Sequence, residues 1–295
     1  MILNVSGRCD IVSFYTEWFM RRYHEGFLDV RNPFYPKLIS RINFHDVDLI
    51  MFCTKNPLPI IDYIKEINKP ILFHVTITPY KKDIEPNVIN KKEVIEGVKR
   101  LSNILGMENV VVRYDPVFLS DKYNLAYHVK AFDKLCNELK GYITTIIVSF
   151  LDECQNVRRN RHILKYRTFQ EEDYRIIGKM FSESAKKNRI VVQTCFEERN
   201  LCEYGFNKGE CLSHELAFKL TGNLYKTWKA RKGKLCQCVE MVDIGQYNAC
   251  KHFCKYCYAN YDEKKVLENM QKHHPESSLL IGEITSDDII KERTK

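Results

Sequence analysis

Ile71-Leu72-Phe73-His74-Val75-Thr76-Ile77-Thr78 is an almost unbroken run of apolar and β-branched residues, the pattern of a strand buried on both faces of a parallel sheet. Outward from it, similar runs recur at Ile2–Val5, Leu49–Cys53, Val110–Tyr114, Thr145–Phe150 and Ile190–Thr194, with a weaker one at Val239–Ile244. The segments between them, Phe14–Tyr23, Ile60–Ile67, Lys91–Leu105, Leu125–Leu139 and Glu171–Ala185, carry helical spacing with polar faces. Strand and helix therefore alternate, as in parallel βα units. Six or seven such units predict an α/β fold, a TIM-like or partial (β/α) barrel, with reactive residues just past the carboxyl ends of its strands.

Residues 196–238 break the rhythm, being rich in Cys, Lys and Gly with helical spacing only around His214–Leu220. The chain thus divides into barrel units over 1–195, a cysteine-rich insert over 196–238, and a segment over 239–295 that completes the same barrel. Asp287–Lys295 reads as a frayed, charged helix end.

The 295 residues, 44% of them apolar, are enough for a sizeable core. Met1–Val5 is too short for a secretory signal, and no run approaches the roughly 18 apolar residues of a membrane span. A cytoplasmic protein without membrane association is expected. Twelve cysteines in a reducing compartment point to metal ligation before disulfides. The net charge of +8 favours encounters with phosphates or acidic partners but specifies no activity.

Cys250-Lys251-His252-Phe253-Cys254-Lys255-Tyr256-Cys257 places three thiols within eight residues as Cys-x3-Cys-x2-Cys. A 4Fe–4S cluster takes soft thiolates, and a set of three leaves one iron open to an outside ligand. The same spacing also suits cysteines packed on one helix face, or a zinc knuckle.

With Tyr256 just before the third cysteine, this loop resembles the cluster loop of the radical S-adenosylmethionine superfamily, and its Cys-Tyr-Ala ending is similar to the spore photoproduct lyase branch. Asp10-Ile11 with Phe14-Tyr15 and Glu17-Trp18-Phe19-Met20, then Arg31-Asn32-Pro33, Thr54-Lys55-Asn56-Pro57, Glu85-Pro86-Asn87 and Arg113-Tyr114-Asp115-Pro116 extend the likeness to the DUF1848 family over Ser6 to Asn260. The resemblance implies an oxygen-sensitive enzyme that cleaves S-adenosylmethionine reductively to a 5′-deoxyadenosyl radical. Its electron would come from a donor such as ferredoxin or flavodoxin, and its substrate is unassigned. Superfamily members carry the loop after the first barrel strand, whereas here it follows the last, so the resemblance implies a circularly permuted barrel with Ile2–Val5 as second strand.

The resemblance also implies a second metal group on Cys195, Cys211, Cys236 and Cys238, with Cys202 as substitute: an auxiliary 4Fe–4S cluster, or zinc. Candidate contacts to S-adenosylmethionine are Ser6, Gly7 and Arg8 after the first strand, Thr76 and Thr78, Arg113 and Asp115, and Tyr256 near adenine. Each has a plainer alternative, a βα turn for the first set and a structural ion pair for Arg113 with Asp115. Lys55, Asn56, Ser149 and Gln193 are weaker candidates. Cys9 and Cys154, just past strands, are candidate hydrogen-atom donors.

Two basic runs stand apart and read as loops: Arg158, Arg159, Arg161, His162, Lys165 and Arg167, and Lys226, Lys229, Arg231, Lys232 and Lys234 around Trp228. They suit nucleic-acid phosphates, with Trp228 stacking on a base, or simply solvated surface. The rival function is therefore a non-catalytic iron–sulfur or zinc protein that binds nucleic acid.

Overall fold

The apolar runs become parallel strands because residues of both parities along them are apolar and both faces are covered. A computed structural model describes residues 1–195, 197–228 and 236–294. Its strands are β1 (Ile2–Val5), β2 (Phe27–Arg31), β3 (Leu38–Asn43), β4 (Leu49–Thr54), β5 (Ile71–Thr76), β6 (Val110–Val117), β7 (Thr145–Phe150), β8 (Val191–Thr194), β9 (Asn207–Lys208), β10 (Val242–Asp243) and β11 (Ile289–Glu292). The helices are α1 (Ile11–Phe14), α2 (Thr16–Glu25), α3 (Lys91–Leu105), α4 (Leu125–Leu139), α5 (Gln155–Arg159), α6 (Arg161–Leu164), α7 (Glu171–Lys187), α8 (His214–Thr221) and α9 (Glu263–Gln271). A 3-10 segment, Leu58–Glu66, stands where a helix was expected between β4 and β5.

Eight strands form one sheet in the order β10-β1-β4-β5-β6-β7-β8-β9, and every neighbouring pair is parallel. Apart from β10, which heads the order, the strands lie side by side in chain sequence, without the reversal of a doubly wound sheet. The sheet is open: among the described residues β9 and β10 are its edges. The last strand of this sheet in chain order, β10, thus lies beside its first, β1, with Leu3 opposite Val242 and Asn4 opposite Asp243.

On one face Val5, Phe52, Phe73, Val112 and Val148 pack with Trp18, Val98, Phe132 and Phe181 of the helices. Two of those helices start where polar caps dictate. Asn90 caps α3 in a reciprocal box with Glu93, and Asn124 caps α4. On the other face Ile2, Leu49, Met51, Leu72, Val111 and Ile147 pack with Leu212, Ala217, Cys238, Val239 and Met241. The cysteine-rich segment is therefore a layer against the sheet.

Two expectations are corrected. The tail from Asp287 is not a helix end: Ile289–Glu292 forms β11, parallel to β3 in a three-stranded sheet with β2. Its β-branched Ile289 and Ile290 favour pairing with the free edge of β3, and Arg31 Nη2 holds Asp288 Oδ2 at 2.9 Å. The first basic run is not a loop, since α5 and α6 occupy most of it. Lys229, Arg231, Lys232 and Lys234 of the second run lie outside the described residues. Among the described residues, no helix is long and apolar enough to cross a membrane.

Candidate functional site

Every strand from β1 through β8 in the large sheet, and β10, ends at one cavity of about 630 Å³. Its wall includes Ser6, Gly7 and Arg8 after β1, Lys55 after β4, Thr76 of β5, Arg113 and Asp115 of β6, Ser149 of β7, Cys195 after β8, and the cysteine loop after β10. A cavity of this size at the carboxyl ends of parallel strands is the usual place for a small-molecule site.

Cys250, Cys254 and Cys257 all face this cavity. Burial raises all three thiols, Cys254 to about 12 even with Lys55 drawing it down. Thiols so desolvated give up their protons to a metal rather than to water. Their sulfurs do not share the 4.8 Å compass that marks a single-ion group among the described residues. Three thiols that approach one cavity without crowding together suit a polynuclear cluster, where each thiolate meets its own iron.

The loop is held by donors from distant segments. Asn156 Nδ2 donates to the carbonyls of Cys257 and Asn260, both at 2.6 Å. Asn160 reaches Lys255 O at 2.7 Å, Asn87 reaches Lys251 O at 2.7 Å, and Asn260 reaches Cys250 O. Tyr15 Oη donates to Ala249 O at 2.7 Å. Phe253 adopts φ +54°, a left-handed conformation that costs free energy for a non-glycine residue and persists only where its surroundings fix it. Ala259 N–H points at Cys257 Sγ from 3.3 Å.

Two buried carboxylates brace the same loop. Asp10 Oδ2 meets His252 Nε2 at 3.0 Å, and the Nδ1 of that ring is buried without a partner. Glu85, 1% exposed, accepts from Lys55 Nζ at 2.9 Å and Thr78 Oγ1 at 2.7 Å, and also from Lys91 and Tyr256. Burial pushes the Glu85 carboxyl up, but Lys55 and Lys91 outweigh it and hold it down at about 2. The Tyr256 ring borders the cavity with its hydroxyl tied to Glu85.

Of the other predicted residues, Ser6 accepts from Ile11 N–H at 2.9 Å while bordering the cavity. Arg8 is engaged by Asp243, Nε to Oδ2 at 2.7 Å, which ties β1 to β10. Gly7 is pressed so close to Asp243 that a Cβ there would meet its carboxylate carbon at 2.7 Å. Arg113 pairs with Asp115 at 2.7 Å, and both line the cavity. Thr76 lines it too, whereas Thr78 stands behind the wall and serves Glu85. Cys9, Lys55, Cys154, Ser149 and Trp228 border the cavity; Gln193 instead binds Glu210 O at 3.0 Å.

Cys195, Cys211 and Cys238 converge at the same cavity, their sulfurs within 4.8 Å of one another. Cys211 Sγ lies 3.1 Å from Cys195 Sγ, and Cys195 Sγ lies 3.8 Å from Cys238 Sγ. Arg113 Nη1 donates to Cys211 Sγ at 3.1 Å, and Cys211 N–H to Cys238 Sγ at 3.3 Å. The neighbouring thiols Cys195 and Cys238, then Arg113, favour the thiolate of Cys211 and outweigh its burial. Cys236 is buried in the same apolar layer but its sulfur is outside this compass. Cys202 is exposed.

Sequence spacing did not single out Asp10, Glu85, His252, Asn156, Asn160 or Glu197 as site residues. Glu197 borders the cavity, and burial, with Asp115 and Asp152 nearby, pushes its carboxyl up to about 8. Asp10, Glu85 and Asn87 stand within the quoted motifs, the one signal available for them.

The open parallel sheet and its shared cavity define an α/β protein with two cysteine groups at the carboxyl ends of its strands. The chain belongs to the DUF1848 family, described as a domain of unknown function, which it matches over residues 2–259. That span includes both cysteine groups. No curated protein matches it.

Proposed function

We propose that this chain is a radical S-adenosylmethionine enzyme whose 4Fe–4S cluster is held by Cys250, Cys254 and Cys257. The observation that carries the reading is the position of the loop: three thiols, two of them buried and the third half-buried, follow a strand beside β1 and face a cavity that the neighbouring strand ends also reach. Taken with β10 first, the strand order is that of an opened (β/α) barrel, which supports circular permutation relative to the superfamily. When bound, the cluster supplies the electron that cleaves S-adenosylmethionine to a 5′-deoxyadenosyl radical, and a ferredoxin or flavodoxin would replenish it.

The residues of the chain provide the setting. The Asn amides fix the loop backbone and Asp10 holds the His252 ring within it, so the thiols keep their places as the cavity fills. The paired Arg113 and Asp115 offer a guanidinium edge and a carboxylate oxygen to a carboxylate and to ribose hydroxyls. Ser6 and the Gly7 backbone line the segment assigned to the amino group.

Binding of nucleic acid by the basic runs has less support. Arg159 donates to Tyr261 O and Arg167 pairs with Asp173 at 2.6 Å, so part of the first run serves internal contacts. Trp228 borders the cavity.

The test is anaerobic reconstitution with iron and sulfide, then incubation with S-adenosylmethionine and a strong reductant. Formation of 5′-deoxyadenosine well above that from Cys254→Ala is expected. No excess over that variant, from protein with an intact cluster, would overturn the reading.

A further inference from the structure

We infer that Cys195, Cys211 and Cys238 hold a single zinc ion whose fourth protein ligand is His74, not Cys236. This inference is independent of the radical reading, because it concerns other cysteines than those of the Cys250 loop.

The sulfur spacing argues for one ion. A tetrahedral site with zinc–sulfur bonds of about 2.3 Å sets its thiolates about 3.8 Å apart. The separations of 3.8 Å and 3.1 Å here match or undercut that figure. In a 4Fe–4S cluster each thiolate binds a different iron and stands farther from the others. The two N–H donors aimed at Cys211 and Cys238 supply the outer contacts typical of metal-bound thiolates.

The fourth position follows from polar satisfaction. His74 is central in β5, between Cys53 of β4 and Val111 of β6. Its parity is that of Leu72, so it belongs to the face covered by the cysteine-rich layer. It has no exposed surface, and neither Nδ1 nor Nε2 makes a well-formed hydrogen bond, the Cys211 backbone being the polar group that approaches the ring. Burying an imidazole with both nitrogens idle is costly. Cys211 and the Arg113 guanidinium lie close enough to act on its charge.

Neither His74 nor Cys236 lies within the 4.8 Å compass of the three sulfurs, so either must shift to complete a tetrahedron. They differ in what they lose by staying put. A buried thiol such as Cys236 packs contentedly as a small apolar group, whereas the His74 ring, approached only by the Cys211 backbone, gains a well-formed polar contact from a metal. Cys53 has less need still, with its thiol against Asn4 Oδ1 at 3.6 Å.

The experiment uses the full chain with Cys250, Cys254 and Cys257 replaced by Ala, so that only the second site remains. Zinc content, zinc affinity and the X-ray absorption signature of its first shell are measured, with cobalt substitution as an optical count of thiolates. One zinc with three sulfurs and one nitrogen is expected. His74→Ala should lower affinity at least about 100-fold, and Cys236→Ser should leave affinity and spectrum unchanged. His74→Cys should retain the ion with a four-sulfur shell, which tests the position even if His74→Ala does not fold. A four-sulfur shell in the His74-containing protein, an ion lost in Cys236→Ser, or iron with labile sulfide at this site would each overturn the inference. Failure of the radical reading would appear only in the nucleoside assay.

Discussion

His252 Nε2 stands 3.0 Å from Asp10 Oδ2, joining the middle of the C-terminal cysteine loop to a residue 242 positions earlier. The same carboxylate caps α1 through Ser13 N–H at 3.0 Å and accepts from Thr54 Oγ1 and Lys55 N–H, both at 2.8 Å. Burial would raise the Asp10 carboxyl, but His252 and these donors bring it below its ordinary range. One ionised oxygen pair therefore ties together the end of β4, the start of α1 and the loop.

Asp10→Asn tests that linkage. The amide keeps the shape but turns one acceptor into a donor among groups that already donate. A loss of about 2–4 kcal/mol in unfolding free energy is expected from the unpaired buried donors, together with a fall in iron retained by the Cys250 group. Urea unfolding and iron analysis check it; wild-type values for both would refute the linkage.

Glu85→Gln tests the second brace. Two lysines and Tyr256 converge on this carboxylate, and removing its charge leaves Lys55 and Lys91 without their buried counter-ion. The expected cost is about 3–5 kcal/mol. The sign with pH follows from the depressed carboxyl. Its contribution is whole above about 4.5 and is lost as pH falls towards about 2. The stability gap between wild type and variant should therefore narrow over that range in acid unfolding curves. A gap that does not change with pH would exclude ionisation of Glu85 as its source.

What could be read from the sequence depended on how local the signal was. Lys91–Leu105 and Leu125–Leu139 were visible as helices because apolar spacing and an Asn cap sit inside each segment. The triple cysteine was visible because its ligands are neighbours in the chain. Asp10, Glu85, Asn156 and Asn160 were not, because each acts on a loop about one hundred to two hundred and forty residues away, and periodicity carries no record of such pairs. The strand β11 was hidden by its exposure, which removes apolar alternation. The layer role of residues 197–228 could have been inferred from the sheet: strands apolar on both faces need a second cover.

Asn156→Ala and Asn160→Ala probe the loop without touching a thiol. Each removes amide donors from loop carbonyls, those of Cys257 and Asn260 or that of Lys255. Iron affinity at the Cys250 group should fall about 10–100-fold, more for Asn156, which serves two carbonyls. Competition with a chelator measures this, and circular dichroism separates it from unfolding. Affinity equal to wild type in both variants would show that the loop needs no such bracing.

His128 offers a test of the fold independent of any metal. It is wholly buried in α4, with Nε2 2.9 Å from Phe118 O and Nδ1 3.0 Å from Tyr114 Oη. A carbonyl only accepts, so Nε2 carries the proton and Nδ1 accepts from the tyrosine. Burial brings the ring from its ordinary 6.5 down to about 4. The unfolded chain takes up a proton near 6.5 that the folded chain refuses until about 4. Stability from this residue is therefore complete above 6.5, declines as pH falls, and levels off below 4, a change of about 3 kcal/mol. His128→Gln should be less stable at neutral pH and should lose that part of the slope. Unfolding free energies of both proteins at pH 7.5, 5.5 and 4 decide the matter, since equal slopes would mean that the ring titrates in the folded protein as it does in the unfolded chain.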